Sequence, residues 1–246
     1  MRRTDDWSVI EWLRTDLEAR QSPNDPQLRV CQRLPESSEV LKILHPIFED
    51  PTIEDPDLTW NDAGDAEGTK GERVPWSRLA KEKGLELCAE ISEWSFLPYF
   101  DRGWPRRLVG PDEGNLEPDH CLRLAALIEE AGLGGPCSFF FALPATTDWE
   151  SEQLWQGELR ELGTLLDADD VWCSPTLWVP DDRRWCVTTD YEQTFSLICG
   201  PELLIRIVAE DALLETVPLT WETRLDSSAD ETNRPGREDD GLVTFG

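Results

Sequence analysis

Two histidines and seven cysteines are the side chains of this chain best suited to nucleophilic or metal chemistry. His120 and Cys121 are adjacent in a predicted helix, where neighbouring side chains point about 100° apart, and no partner pair with zinc spacing occurs. The cysteines are odd in number, widely scattered and without a C-x-x-C pair. We therefore predict no metal site, no cofactor and seven reduced thiols.

A cysteine paired with a histidine would be the simplest nucleophile that these residues allow. Cys173 is the most loop-like candidate, but the acids around it would raise the pKa of its thiol and disfavour a thiolate. Adjacent carboxylates such as Glu129 and Glu130 are more typical of a helix surface than of acid–base catalysis. We predict no catalytic residue. The alternative is an enzyme of unrecognised type with Cys173, Asp190 or His120 in its site.

The most informative property of the sequence is its charge. It has 51 Asp and Glu against 23 Lys and Arg, which gives a formal net charge of -28 on 246 residues. Such a surface repels phosphate backbones and anionic membranes and attracts basic partners. We therefore predict a basic protein partner, no direct contact with nucleic acid and no contact with a membrane. The acids cluster in three segments, which are residues 49–67, 167–170 and 238–240.

Two other interpretations of the acidity compete with a binding function. A run of charge is usually a solvated loop, and many acids with only four lysines are also typical of adaptation to concentrated salt. The twelve tryptophans argue mildly against salt adaptation. Location is a separate expectation: no stretch approaches 18 apolar residues and no signal peptide is visible, so we expect a cytoplasmic protein. Nothing in the sequence indicates the oligomeric state.

The elements that would position these residues follow from periodicity and from Pro and Gly. Helices are predicted over residues 4–20, from Ser37 or Ser38 to Pro46, from Pro75 to Gly84, from Asp119 to Gly132, and after Gly200. Strands are predicted over residues 137–143 and 214–221, and as a hairpin of residues 185–190 and 194–199. Together they predict an α+β fold, a mixed or mainly antiparallel sheet with helices packed on it.

The predicted organisation has four segments. These are an N-terminal helical segment (1–48), an acidic exposed loop (49–72), the main α+β domain (73–225) and a polar C-terminal tail (226–246).

The segment from Pro175 to Asp190 reads P-T-L-W-V-P-D-D-R-R-W-C-V-T-T-D. It resembles an uncharacterised family of bacterial hypothetical proteins whose C-terminal segment reads approximately N-L-W-W-P-x-D-R-x-W-x-V-x-T/S-D/E, followed by a strand, a glycine and a helix. Val179 replaces the second Trp, and Arg183 and Arg184 are doubled. The upstream segment Pro111–Leu116, P-x-E-G-x-L followed by a helix, is similar to the same family. The resemblance implies an architecture and no activity.

We predict an acidic, non-enzymatic protein-binding module, in its concrete form a toxin-neutralising, immunity-type protein that docks a basic partner. The turn after Trp178 is interpreted either as a salt-bridged structural turn or as a recognition face with an exposed tryptophan and arginines. The candidate contact residues are Glu54, Asp55, Asp57, Asp62, Trp178, Asp181, Asp182, Arg183 and Arg184.

Overall fold

The structure is a computed structural model that describes residues 1–20, 27–63, 68–147 and 151–234. Its helices are α1 (Ser8–Arg20), α2 (Trp60–Ala63), α3 (Trp76–Lys83), α4 (Glu93–Phe96), α5 (Pro118–Glu130), α6 (Leu162–Leu166) and α7 (Glu202–Ala209). Its strands are β1 (Arg2–Arg3), β2 (Glu39–Leu44), β3 (Ile47–Glu49), β4 (Arg73–Val74), β5 (Leu108–Val109), β6 (Pro136–Phe141), β7 (Gln153–Glu158), β8 (Leu177–Pro180), β9 (Cys186–Thr189), β10 (Phe195–Gly200) and β11 (Glu215–Pro218). Among these helices, none has the length and apolar character needed to cross a membrane.

The chain forms two compact units that interleave along the sequence. The large unit consists of residues 1–46 and 111–226, and the small unit of residues 47–110 and 227–246. The small unit is therefore built from an insertion and from the C-terminal segment. The four predicted segments do not coincide with these two units.

An eight-stranded antiparallel sheet organises the large unit, in the order β1-β7-β6-β8-β9-β10-β2-β11. The predicted hairpin is β9 and β10, in which Cys186 lies opposite Cys199. The predicted apolar strand is β6, whose residues are buried from Cys137 to Phe141. These elements confirm the α+β fold with a mainly antiparallel sheet.

The predicted second helix is wrong, because its residues form strand β2. This strand pairs with β10 on one side and β11 on the other, and all its residues except Glu39 are buried. Val40, Leu41, Ile43 and Leu44 make a short apolar run that suits either a buried helix or a central strand. Lys42 is also fully buried, with its ammonium 4.5 Å from the centre of the Phe195 ring.

Helices α5 and α7 contribute their apolar stripes to the main core of the large unit. Leu124 and Ile128 of α5 and Leu204 and Val208 of α7 lie in one buried cluster with aromatic residues of the sheet. The indole of Trp185 is almost fully buried there and donates a hydrogen bond to the carbonyl of Leu133, just after α5. Burial of each large aromatic side chain contributes a few kcal/mol to stability.

A buried ion pair organises the small unit beside its three-stranded sheet β4-β3-β5. Arg106 donates to Asp50 at 2.8 Å, and neither side chain is more than 5% exposed. Burial alone would raise the pKa of Asp50, but hydrogen bonds from Thr52, Thr69 and Arg106 outweigh it and hold that pKa well below its usual range. The guanidinium of Arg106 also lies 4.2 Å from the centre of the Trp60 ring.

The predicted acidic loop 49–72 is therefore only partly an exposed loop. It contains the end of β3, helix α2 and the buried carboxylate of Asp50, which acts as a hydrogen-bond acceptor for the segment around it. Glu54, Asp55 and Asp57 are exposed as expected. Residues 64–67, which include Asp65 and Glu67, lie outside the described part of the chain.

The first residues of the predicted polar tail are packed rather than exposed. Asp230 is 8% exposed and accepts hydrogen bonds from Ser95 at 2.5 Å and from the amide of Asn233. The side chain of Asn233 in turn bonds both the backbone N–H and the carbonyl of Glu86. Polar side chains can fill interior positions when each finds partners, so polarity alone misled the sequence prediction. The rest of the tail, residues 235–246, lies outside the described residues.

Replacing Arg106 with Met should destabilise the protein by about 3–5 kcal/mol, because the carboxylate of Asp50 would stay buried without its charged partner. The matched control is Arg78→Met, which breaks an exposed ion pair with Glu82 and should cost less than about 1 kcal/mol. Urea unfolding measures both. Equal midpoints for the two variants would contradict the structural role of the buried pair.

Candidate functional site

A fully buried hydrogen-bonded chain lies at the end of β2 in the large unit. Nε2 of His45 is 2.9 Å from the hydroxyl of Ser196, and this hydroxyl is 2.7 Å from that of Thr189. Nδ1 of His45 is 2.6 Å from the carbonyl oxygen of Asp112. A histidine beside a serine is also the arrangement of a nucleophile and its general base. These hydrogen-bonded residues are therefore the first candidate for a catalytic site.

The partners of His45 fix the direction of every proton in the chain. A carbonyl oxygen only accepts, so Nδ1 carries the proton and donates to Asp112. Nε2 of the neutral ring must then accept from Ser196, and the serine oxygen accepts from Thr189. All three side chains are at most 1% exposed. The arrangement therefore satisfies buried polar groups and offers no approach for a substrate.

Burial determines the ionisation of His45. Loss of hydration lowers its pKa to about 4, and the hydrogen bond to Asp112 and the charge of that residue only partly oppose this. The electrostatic interaction with His120, which is 4% exposed in the first turn of α5, lowers the pKa of His45 further. His45 is therefore neutral at physiological pH.

The loop of residues 111–116 is fixed to the segment around Ser174. The backbone N–H of Ser174 donates to the side-chain oxygen of Asn115, and the hydroxyl of Ser174 accepts from the N–H of Leu116, both at 2.9 Å. The N–H of Gly114 donates to the carbonyl of Gln193. The loop of residues 111–116 thus contacts the chain just before and just after the segment Pro175–Asp190.

Gly114 is the tightest point of this contact. Its φ is +65°, and a Cβ atom there would lie 2.5 Å from Cα of Tyr191. Only glycine accommodates both the left-handed backbone and this approach of a neighbouring main chain. Tyr191 itself is about half exposed.

The three residues predicted for an unrecognised enzyme are Cys173, Asp190 and His120, and each of them is either buried or ion-paired. Cys173 is 7% exposed, and burial together with the charge of Asp112 raises the pKa of its thiol to about 12, so the thiol stays protonated. Asp190 accepts from Arg33 at 2.7 Å. His120 is buried in α5. Across the described residues, no group of three or more His, Cys, Asp or Glu is arranged to hold a metal ion.

Outside this buried cluster, the same segment presents a tryptophan to solvent. Trp172 is 55% exposed, although it directly precedes Cys173 and Ser174, which are buried. Asp167, Asp169 and Asp170 precede it and are all exposed. This set of four residues is called the Trp172 surface below.

The recognition face predicted after Trp178 requires this tryptophan to be exposed, and that part of the prediction is wrong. Trp178 is fully buried, and its indole donates to the carbonyl of Pro175. Asp181 and Asp182 are exposed in the connection from β8 to β9, where the N–H of Arg183 donates to the carbonyl of Pro180.

The two arginines of this turn already have partners. Arg184 pairs with Asp182 at 2.5 Å, and the guanidinium of Arg183 lies 4.4 Å from the centre of the Trp12 ring. The geometry is that of a salt-bridged turn, which was the structural interpretation.

The other predicted contact residues lie in the small unit. Glu54, Asp55 and Asp57 are exposed, and Asp62 pairs with Arg102 at 3.0 Å. Hydrogen bonds from Thr59 lower the pKa of Asp62, so it remains a carboxylate. These four belong to a different unit from Asp181 and Asp182, so the predicted contact set divides into two candidate surfaces.

No protein-family model, no curated protein and no solved structure matches this chain. The sequence does not reveal that Trp172 is exposed, because it shows only that this residue follows an acidic segment, and a tryptophan between Val171 and Cys173 is as typical of a core as of a surface.

We expect acid to destabilise the fold through His45. Its pKa of about 4 lies below the 6.5 of an unfolded histidine, so the unfolded state holds more protons between these values. Stability should fall by about 3 kcal/mol from this residue alone as the pH drops through that window.

Nitrogen-15 NMR of the two imidazoles measures this directly and should show the Nδ1-protonated form of His45 at pH 7. His45→Gln removes the titrating group and serves as the comparison in urea unfolding against pH. A midpoint at or above 6.5 for His45 would contradict the buried, neutral assignment.

Gly114→Ala should destabilise the protein by at least about 2 kcal/mol more than Gly132→Ala. Both glycines have positive φ, but a Cβ at Gly132 has nothing within 4 Å, so that variant carries only the backbone cost of about 1 kcal/mol. Thermal unfolding of the pair isolates the contact with Tyr191. The same loss in both would show that Gly114 is needed only for its backbone angle.

Proposed function

We propose that this chain is a non-enzymatic protein-binding module that docks a basic protein partner through the Trp172 surface. The observation that supports this most directly is the exposure of Trp172 among three exposed aspartates. The enzyme alternative loses support because its candidate residues are buried or paired.

An exposed tryptophan is the side chain expected at the centre of such a contact. Burying it on binding removes a large apolar area from water, and Trp and Arg are the residues most enriched at energetic hot spots of interfaces. Leu143, which is 41% exposed, belongs to the turn whose last residue, Ala145, accepts a hydrogen bond from the N–H of Trp172. It supplies additional apolar area to the same surface.

The acids around Trp172 define the chemistry of the partner. Asp167, Asp169 and Asp170 lie within five residues of Trp172, and all face solvent. A guanidinium group can stack on the indole while it pairs with a carboxylate, so arginine side chains fit this surface best. The overall charge of -28 adds steering that speeds the encounter with a basic protein.

The backbone of this surface is held in place before any partner arrives. The carbonyl of Asp170 accepts from the N–H of Thr147 and from the side chain of Gln153, and Val171 forms a bridge with Thr146. On the other side, Ser174 is bonded to the loop of residues 111–116. A surface fixed in this way loses little conformational entropy on binding.

Neutralisation of a basic toxin, as by an immunity-type protein, is the concrete form of this function that the acidity favours. Such a role needs fast association and a surface that competes with a polyanion such as nucleic acid. The exposed acids Glu54, Asp55 and Asp57 of the small unit are a second candidate contact, and the experiment below separates the two surfaces.

Trp172→Ala should weaken binding of an arginine nonapeptide to the full chain by at least about fivefold, because it removes the stacking partner of a guanidinium. The triple change of Asp167, Asp169 and Asp170 to Asn should also reduce the dependence of the dissociation constant on salt. Fluorescence titration at several KCl concentrations measures both effects.

The matched control is Trp94→Ala, since Trp94 is 49% exposed and lies in the small unit. It should leave the affinity unchanged. A loss caused instead by neutralising Glu54, Asp55 and Asp57 would place the contact on the small unit and reject the Trp172 surface. Binding no tighter than that of a neutral peptide would reject the proposed function.

A further inference from the structure

The lysines collect in the small unit, although this unit carries a net negative charge like the rest of the chain. Three of the four lysines, Lys70, Lys81 and Lys83, belong to this unit. One of them, Lys83, lines a pocket of about 250 Å³ together with Arg102 and Arg107. In a protein with a net charge of -28, three cationic side chains around one cavity need an explanation.

Lys83 differs from the two arginines because it forms no ion pair within the described part of the chain. Its ammonium donates to the carbonyl of Tyr99 at 3.3 Å and lies 4.4 Å from the centre of the Phe100 ring. Both are uncharged groups, and within the described ranges no carboxylate lies at ion-pair distance from Lys83. An ammonium has three donors, so this one can bind a further acceptor inside the pocket.

Each of the two arginines forms an ion pair with a nearby carboxylate. Arg102 donates to the carbonyl of Asp57 and pairs with Asp62, and it is mostly exposed. Arg107 is 3.5 Å from Glu49, a long ion pair with both side chains more than a third exposed. Exposed pairs of this kind contribute about 0–1 kcal/mol, so a better acceptor can displace them.

We propose that this pocket binds a small oxyanion, a phosphate or carboxylate group, through Lys83, Arg102 and Arg107. Two carboxylates, Asp57 and Asp101, also line the pocket, and Arg102 and Arg107 keep their exposed partners Asp62 and Glu49, so the ammonium of Lys83 is the charge available to a ligand. Its volume is slightly below the usual range for ligand sites, which suits one compact anionic group against the wall of Tyr99 and Phe100. This inference concerns the small unit and does not depend on the Trp172 surface.

The test is calorimetric titration of the full chain with inorganic phosphate and with acetate, at constant ionic strength set by KCl. Saturable binding of one anion per chain is expected. Lys83→Ala and Arg107→Ala should each weaken it at least about tenfold, as expected for loss of one charge-assisted hydrogen bond. Binding of phosphate alone identifies a phosphate ligand, whereas binding of both anions supports a general oxyanion site.

Lys81→Ala is the matched control, because Lys81 is an exposed lysine of the same helix that does not line the pocket. It should bind as the unmodified chain does. If Lys81→Ala weakens binding as much as Lys83→Ala, the anion acts only by screening the acidic surface, and the site is rejected. Absence of saturable binding for both anions also overturns it.

Discussion

The neutral imidazole of His45 connects three distant parts of the large unit. It lies just beyond β2, donates to a carbonyl of the loop of residues 111–116, and accepts from Ser196 on β10. Ser196 is fully buried and the contact with Asp112 is partly buried, so losing the imidazole would leave the hydroxyl of Ser196 without water to replace it. The loop then positions Ser174, and Ser174 fixes the end of the segment that carries Trp172. The buried imidazole is thus linked, through the loop of residues 111–116 and Ser174, to the segment that carries Trp172.

The sequence was sufficient for elements whose apolar period is unambiguous. Helices α3, α5 and α7, strand β6 and the β9–β10 hairpin lie where spacing, Pro and Gly indicate. The sequence prediction failed at β2, whose apolar residues suit a buried helix as well as a central strand and are buried by pairing on both edges. It also failed at Asp230 and Asn233, whose burial depends on partners far along the chain. For the candidate site, the sequence predicted an acidic surface with an exposed tryptophan. Which tryptophan is exposed depends on the tertiary fold, since Trp178 is buried and Trp172 is not.

Charge is distributed in this protein according to burial and unit. Asp50 and Arg106 use opposite charges inside the small unit, where an uncompensated carboxylate would be costly. The acids of the Trp172 surface are exposed, where they cost little and extend an attractive field. The lysines are concentrated in the small unit. Both units are acidic overall, so the proposed anion site depends on the local grouping of Lys83, Arg102 and Arg107 and not on the charge of the small unit.

The interleaving of the two units has a consequence for biosynthesis. The small unit begins at Ile47, but Glu86 finds its partner only when Asn233 exists. At about 5–20 residues per second, the 147 residues between Glu86 and Asn233 take roughly 7 to 30 seconds to synthesise, and the contact cannot close before then. In the meantime Ser95 and the backbone of Glu86 lack the side chains that occupy them in the finished protein.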